Sequence, residues 1–422
     1  MRSERMNNID TLPDRSAFDP IAIGPITLRN RFIKAATNEG MAKGGVVTKG
    51  LARFHERMAQ GGVAMSVVAY CATSLDGRTF VDQATLNRDS VPDFRALTDN
   101  VHRHGAAACA QITHAGSFTF LPKDILAADK PLSSSGGFNK AGVLSKRYLK
   151  KKMDRAEIAA MADEFVEAAR LAKSAGFDAV ELHMGHGYLL SQFVSPLYNK
   201  RRDEYGGTIE KRMRFPVEVL SRVLDAVGKD MAVIVKYSMT DGPKGNGIDE
   251  GKAVARILEQ NGAHMAILSN GMNIESITDM FGSAFPAENR RANPNPLIRI
   301  GMWLQSLRQP KEVVFRENYL RELALQVRGA VDLPLSYLGG VQSWAGVETA
   351  VRDGFDAIAM GRILIHDPNI IDRWKQGSQE ESGCTVCNRC VSMMYMPEGT
   401  HCVLTGGQDP ALNQVPAAKE AA

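Results

Sequence analysis

The sequence predicts a single (β/α)8 barrel. Eight apolar, β-rich runs alternate with longer segments of helical period. The strand runs are apolar nearly throughout, as expected for a parallel sheet buried on both faces. Several helical segments end in glycine, at Gly176, Gly228, Gly262 and Gly354, where a C-terminal cap favours it. An open doubly wound sheet is the alternative, and it requires a reversal of strand order.

In chain order, RFIKAAT (31–37) leads to the helical segment 49–62, and VAMSVVAYC (63–71) to 91–105. AAACAQITHAG (106–116) precedes the helix over 154–176, and FDAVELH (177–183) precedes the one over 208–228. MAVIVKYS (231–238) and AHMAILSNG (263–271) are followed by helices over 249–262 and 313–330. LPLSYLGGV (333–341) and FDAIAMGR (355–362) complete the set, with helices over 343–354 and 367–377. Two connections, 117–153 and 272–311, are too long for turns; the second carries Pro286, Pro294, Pro296 and Pro310. Both follow strand C-terminal ends, where barrel enzymes place lids and binding loops. The expected division is a polar arm over 1–17, a barrel over 18–377 and a cysteine-rich tail over 378–422.

Of the 422 residues, 44% are hydrophobic and 23% charged, which is ordinary globular composition with ample material for a large core. The net charge of +4 gives no reason to expect nucleic acid or a membrane surface as partner. No apolar run approaches the roughly 18–20 residues that span a bilayer. The polar start MRSERMNNIDTLPDRS has no apolar signal core, so a cytoplasmic location is expected.

His183 and His186 leave the end of the fourth strand, on the face where barrel active sites sit. A zinc site would want a third protein ligand, and none stands at an obvious spacing nearby. Solvated loop histidines are the bland reading. The chemical one is a pair of N–H donors converging on one substrate oxygen, polarising a carbonyl, with Tyr188 beside them as proton donor. Strands seven and eight end in glycine, at Gly339 and Gly340 in LGGV and at Gly361 in MGR. Loops after these two strands bind phosphate through backbone N–H groups in many barrels, and Arg362 can add a charged contact.

ITLRNRFIKAATNEG (26–40), QITHAGS (111–117), HMGHGYLLSQFVSPLYNKRRDEYGGTIEKRMRFPVEV (183–219), LGGV and AMGR occur in order. On these segments the chain, over roughly residues 18–375, resembles the Old Yellow Enzyme family of FMN-dependent NAD(P)H oxidoreductases. The resemblance implies that Ala35, Ala36 and Thr37 line the flavin ring and that Asn38 lies near its reactive edge. It implies that Gln111 bonds the flavin pyrimidine and Lys236 sits near N1. Gly340, Gly361 and Arg362 would hold the FMN phosphate. His183 and His186 would take the substrate oxygen, and Tyr188 would deliver a proton. A cation beside N1 favours the anionic reduced flavin, which fits Lys236 on physical grounds. Without the resemblance, Gln111 and Lys236 read as residues that merely satisfy polar groups of the barrel interior. Two departures stand out. Lys236 occupies a position where the family commonly has Arg, so its contact is a point charge and not a fork. Asn38 stands where Thr or Cys is usual.

Six cysteines are unevenly spread: Cys71 and Cys109 sit alone in apolar strands, whereas Cys384, Cys387, Cys390 and Cys402 crowd into the tail. The first two read as buried small hydrophobes. The tail pattern, C-x2-C-x2-C-x11-C, reads as one metal or cluster site, with inert thiols as the alternative. It resembles the iron–sulfur segment of 2,4-dienoyl-CoA reductases and trimethylamine dehydrogenase, though those have one more residue between the second and third Cys. Four thiolates hold a [4Fe–4S] cluster or a zinc ion.

The function expected is reduction of an activated C=C by NAD(P)H through FMN. The alternative is an iron–sulfur flavoprotein dehydrogenase or demethylase passing electrons to a partner protein. A homo-oligomer is compatible with either.

Overall fold

The structure, a computed structural model, describes residues 15–143, 145–284, 291, 296–307 and 313–414. Most of the N-terminal arm, and Pro286, Pro294 and Pro310 of the second long loop, lie outside the described residues.

Eight parallel strands close into a barrel: β1 (Phe32–Lys34), β2 (Met65–Ala72), β3 (Ala107–Thr113), β4 (Ala179–Met184), β5 (Ala232–Ser238), β6 (Met265–Ser269), β7 (Leu335–Tyr337) and β8 (Ala357–Met360). Each neighbours the next in sequence, and β8 pairs with β1 through Ile358–Phe32, Ala359–Ile33 and Met360–Lys34. Closure excludes the open doubly wound alternative, because it leaves no sheet edge and no reversal of strand order. The helices α1 (Lys49–Gln60), α2 (Val91–His102), α3 (Arg155–Ser174), α4 (Arg214–Val227), α5 (Ile248–Gln260), α6 (Arg321–Arg328), α7 (Trp344–Arg352) and α8 (Ile370–Lys375) follow the strands in turn.

Strand alternation separates two cores. Val180, Leu182, Val233, Val235 and Tyr237 face outward and pack with the helices. Ala179, Ala232, Ile234, Ile267 and Ala359 face the lumen. Cys71 and Cys109 are fully buried, as small apolar residues should be.

Two helical expectations change. The segment 313–330 is helical only from Arg321, because Glu317 turns aside to accept from the backbone N–H groups of Gln342 and Ser343, at 2.6 and 2.8 Å. Those contacts tie the chain ahead of α6 to the start of α7. The segment 208–228 breaks at Met213 into Ile209–Arg212 and α4.

The first long loop builds a small sheet from Leu132–Ser133, Gly137–Phe138 and Leu149–Lys152. The tail folds back over the C-terminal face of the barrel. Thr400 donates from its hydroxyl to the Asn38 carbonyl at 2.6 Å and from its N–H to the Glu39 carbonyl at 2.7 Å. Gly40, at φ +62°, faces the Met394 carbonyl so closely that an added Cβ would lie 2.1 Å from that oxygen. Among the described residues, no helix is long and apolar enough to cross a membrane.

Candidate active site

The lumen of β3, β4 and β5 carries the polar side chains. Residues two apart on a strand share a face, so Glu181 and His183 both point inward. Register places Glu181 opposite Gln111 and His183 opposite Lys236. Gln111 donates through Nε2 to Glu181 Oε1 in a short hydrogen bond. Burial raises the Glu181 pKa and lowers that of Lys236, and each is opposed by the charge of the other. The result is a buried row of amide, carboxylate and ammonium under the barrel mouth. Glu181 escapes the reading from sequence, although its period-2 relation to His183 marks it.

His183 and His186 are buried, and burial holds both imidazoles well below the usual histidine range, so both are neutral at pH 7. The rings do not both face a common acceptor. His183 Nε2 and His186 Nδ1 share a hydrogen bond of 2.9 Å, and His186 Nε2 lies 2.7 Å from Ser269 Oγ. Two neutral buried rings satisfy each other when nothing else is offered. If the Ser269 hydroxyl donates to His186 Nε2, the proton of His186 sits on Nδ1, directed at His183. His183 Nδ1 has no partner among the described residues. His186 adopts a left-handed backbone, φ +62°, which turns the chain back over the strand end.

Tyr188 is buried beside them, its ring centroid 4.6 Å from that of His183 and 5.1 Å from that of Tyr70. Burial pushes its pKa up to about 12, against hydrogen bonds with Tyr70 and Asn273. Tyr70 was not legible as a site residue. It lies in a continuous apolar strand, yet its hydroxyl accepts from Asn38 Nδ2 at 3.3 Å.

The first turn holds a second buried pair. Lys34 bonds Glu39 at 2.5 Å, Thr37 at 2.9 Å and the Val67 carbonyl at 3.2 Å. Ala35 is buried, while Ala36 packs partly buried against Tyr70 and Tyr188. The pair therefore braces the Ala35–Asn38 turn from behind.

At the ends of β7 and β8, Gly340 is left-handed at φ +79°, and a Cβ on Gly339 would fall 2.1 Å from the Tyr337 hydroxyl. Gly361 precedes the short helix Arg362–His366. Arg362 points toward the tail: it donates to Asn388 Oδ1 at 2.7 Å, Ser283 Oγ at 3.0 Å and the Phe281 carbonyl at 2.8 Å. It lines one small cavity together with Cys384, Cys387, Cys390 and Cys402. His366 Nδ1 lies 3.3 Å from Cys402 Sγ. Among the described residues, no group of three or more His, Cys, Asp or Glu side chains is set to hold a metal ion. The four thiols thus share a cavity without standing at ligand spacing.

The residues present fit a flavin. Glu181 Oε2 and His183 Nδ1 are buried polar atoms without partners among the described residues, both on β4 beside the strand that carries Lys236. A closed barrel with polar groups at the strand C-termini defines an enzyme of the barrel class. A sequence profile of the NADH:flavin oxidoreductase / NADH oxidase family matches residues 16–381, and the chain belongs to that family. It is an FMN-dependent oxidoreductase that uses NADH or NADPH. It is 37% identical over 396 residues to the 4,4'-dithiodibutanoate disulfide reductase of Rhodococcus erythropolis, covering 93% of this chain and 96% of that one. It is 30% identical to the NADH oxidase of Thermoanaerobacter brockii over 87% of this chain, but spans only 52% of that protein, and about half of several other curated relatives. The fold matches an Old Yellow Enzyme homologue from Zymomonas mobilis with a TM-score of 0.67 at 23% identity, covering 87% of this chain and 94% of that one. It also matches a 2-naphthoyl-CoA reductase, with a TM-score of 0.77 at 22% identity over 94% of this chain and 58% of the other.

Proposed function

We propose that the enzyme reduces a carbon–carbon double bond activated by a carbonyl. The observation that carries this reading is the buried group of His183, His186 and Tyr188 at the end of β4. FMN, when bound, supplies the hydride. Ala35, Ala36, Thr37, Asn38, Gln111 and Lys236 are the residues that would hold its ring, and Gly339, Gly340, Gly361 and Arg362 its phosphate. A substrate carbonyl entering beside the rings replaces the bond between them. His186 Nδ1–H, kept in that tautomer by Ser269, then donates to its oxygen, and His183 donates as well once its own proton has moved from Nδ1 to Nε2. Neutral imidazoles suit this role, because their protons stay in place while charge grows on the oxygen. Tyr188 delivers the proton to the neighbouring carbon.

The experiment is anaerobic and separates the two half-reactions. Phenols should bind the oxidised holoenzyme and perturb the flavin spectrum, and His183→Ala with His186→Ala should abolish this. The same double variant should slow the alkene half-reaction by about 10²–10³-fold, the scale of a lost oxyanion donor. Normal phenol binding and native alkene turnover in that variant would make the pair structural and end this reading.

The Rhodococcus relative supports a second acceptor, a dialkyl disulfide. Hydride addition would cleave the S–S bond into a thiol and a thiolate, and Tyr188 would protonate the thiolate. Rapid oxidation of the reduced enzyme by a disulfide but not by an enone selects this reading. We further infer that Cys384, Cys387, Cys390 and Cys402 bind one iron–sulfur cluster or zinc ion. Their shared cavity beside Arg362 supports this. A cluster would make transfer to an electron-accepting partner feasible.

A further inference from the structure

We propose that Lys150, poised over Tyr198 at the rim of the active site, anchors a carboxylate or phosphate group of the molecule that reacts there; this rests on the site proposed above. The strand Leu149–Lys152 presents three lysines. Lys151 is paired with Glu157, and Lys152 with Asp203. Lys150 has no carboxylate within ion-pair distance among the described residues. Its ammonium instead lies 5.0 Å from the centroid of the Tyr198 ring. Tyr198 is itself buried and held in place, its hydroxyl donating to Glu275 Oε2 at 3.0 Å.

Tyr198 connects this cation to the catalytic turn. Its hydroxyl lies 3.5 Å from where a Cβ on Gly187 would sit, and Gly187 separates His186 from Tyr188. From the other side, the N–H of Asn273 bonds the His186 carbonyl, two residues before Glu275. The cation therefore stands one aromatic ring away from the turn that carries His186 and Tyr188.

Charge and solvation favour an anion here. Lys140 and Lys200 add positive charge near Lys150, while Glu275 is the acidic group facing it. Glu275 is shared between Tyr198 and Lys140, the latter at 3.7 Å. Partial burial has already stripped water from the Lys150 ammonium and pulls its pKa down to about 8. A cation that is partly desolvated, propped on a ring and not committed to a protein carboxylate binds an incoming anion with little further ordering cost.

The test uses the holoenzyme with phenols that carry a neutral or a carboxylate-bearing side chain, read by flavin spectral perturbation. Carboxylate-bearing phenols should bind more tightly than neutral ones, and Lys150→Ala should lower that ratio about tenfold, on the scale of one charged hydrogen bond. Lys150→Arg should preserve the ratio, and Lys150→Glu should shift preference toward ammonium-bearing phenols. A parallel arm compares flavin reduction by NADPH and NADH. If Lys150→Ala weakens NADPH use alone, the anchored group is the phosphate of the reductant; if it alters only the phenol ratio, the group belongs to the substrate. Failure of every phenol to bind the unaltered enzyme would count against the carbonyl site, while the nucleotide arm still reads Lys150. An unchanged phenol ratio together with an unchanged NADPH-to-NADH ratio overturns the proposal.

Discussion

With the Tyr188 phenol pushed up to about 12, its proton stays on throughout neutral and moderately alkaline conditions. The alkene half-reaction should therefore show no fall from this group between pH 6 and about pH 10, and should decline only as pH approaches the phenol's own range. Tyr188→Phe should slow that step by about 10²–10⁴-fold while leaving phenol binding largely intact, since it removes a proton and not an anchor. Stopped-flow reoxidation across the pH range checks both statements; an equal loss of phenol binding would make Tyr188 part of the anchor. Lys236 shows how one residue depends on its neighbours. Its charge is tolerated in the lumen because Glu181 lies beside it on β4, and Glu181 in turn accepts from Gln111. The role inferred for Lys236 toward a flavin therefore belongs to a set of residues, of which Lys236 and Gln111 were recognisable in the sequence and Glu181 was not.

Strand positions, strand type and most helix positions were legible, because a buried parallel strand writes itself as a continuous apolar run and a covering helix as a 3.6-residue period. The helix expected over 313–330 was overextended because its first half is spent on contacts to α7, which leave no local mark. The tail is the element whose role depends most on what it binds. Its thiols gather in one cavity with Arg362, yet burial raises the pKa values of Cys384 and Cys390 in the absence of a metal cation. A bound metal would reverse that preference by stabilising thiolates. Anaerobically purified protein should contain stoichiometric iron or zinc, and Cys384→Ala should release it while retaining FMN. Metal analysis with visible spectroscopy checks this, and absence of both metals from the unaltered protein would leave inert thiols as the answer.

At the scale of the molecule, the tail is joined to the barrel mouth and does not hang from it. Thr400 bonds the backbone of Asn38 and Glu39, Tyr395 packs edge-on against Phe80, and Asn413 reaches Thr48 at the start of α1. Through Asn388, the cysteine loop also grips Arg362, at the end of the strand expected to hold the FMN phosphate. Removing residues 384–422 should therefore lower the melting temperature by a few degrees, at about 1 °C for each kcal/mol lost in a protein of this size, and should speed FMN dissociation. Calorimetry and fluorescence of released flavin measure the two effects. A truncated protein with native melting and native FMN retention would show the tail to be an independent attachment.

Read alone, the sequence determined the eight strand–helix units, the face on which a site is expected, and the candidate residues proposed to carry its chemistry. These follow from local periodicity and from motifs that lie within single segments. Tertiary structure decided the hydrogen bond between His183 and His186, the lumenal row of Gln111, Glu181 and Lys236, the turn of Arg362 toward the cysteines, and the placing of Lys150 over Tyr198. Each of these joins segments through space, or turns on which partner a buried polar group finds. That choice is set by packing and the cost of leaving a donor or acceptor unpaired, and neither is written in the order of the residues.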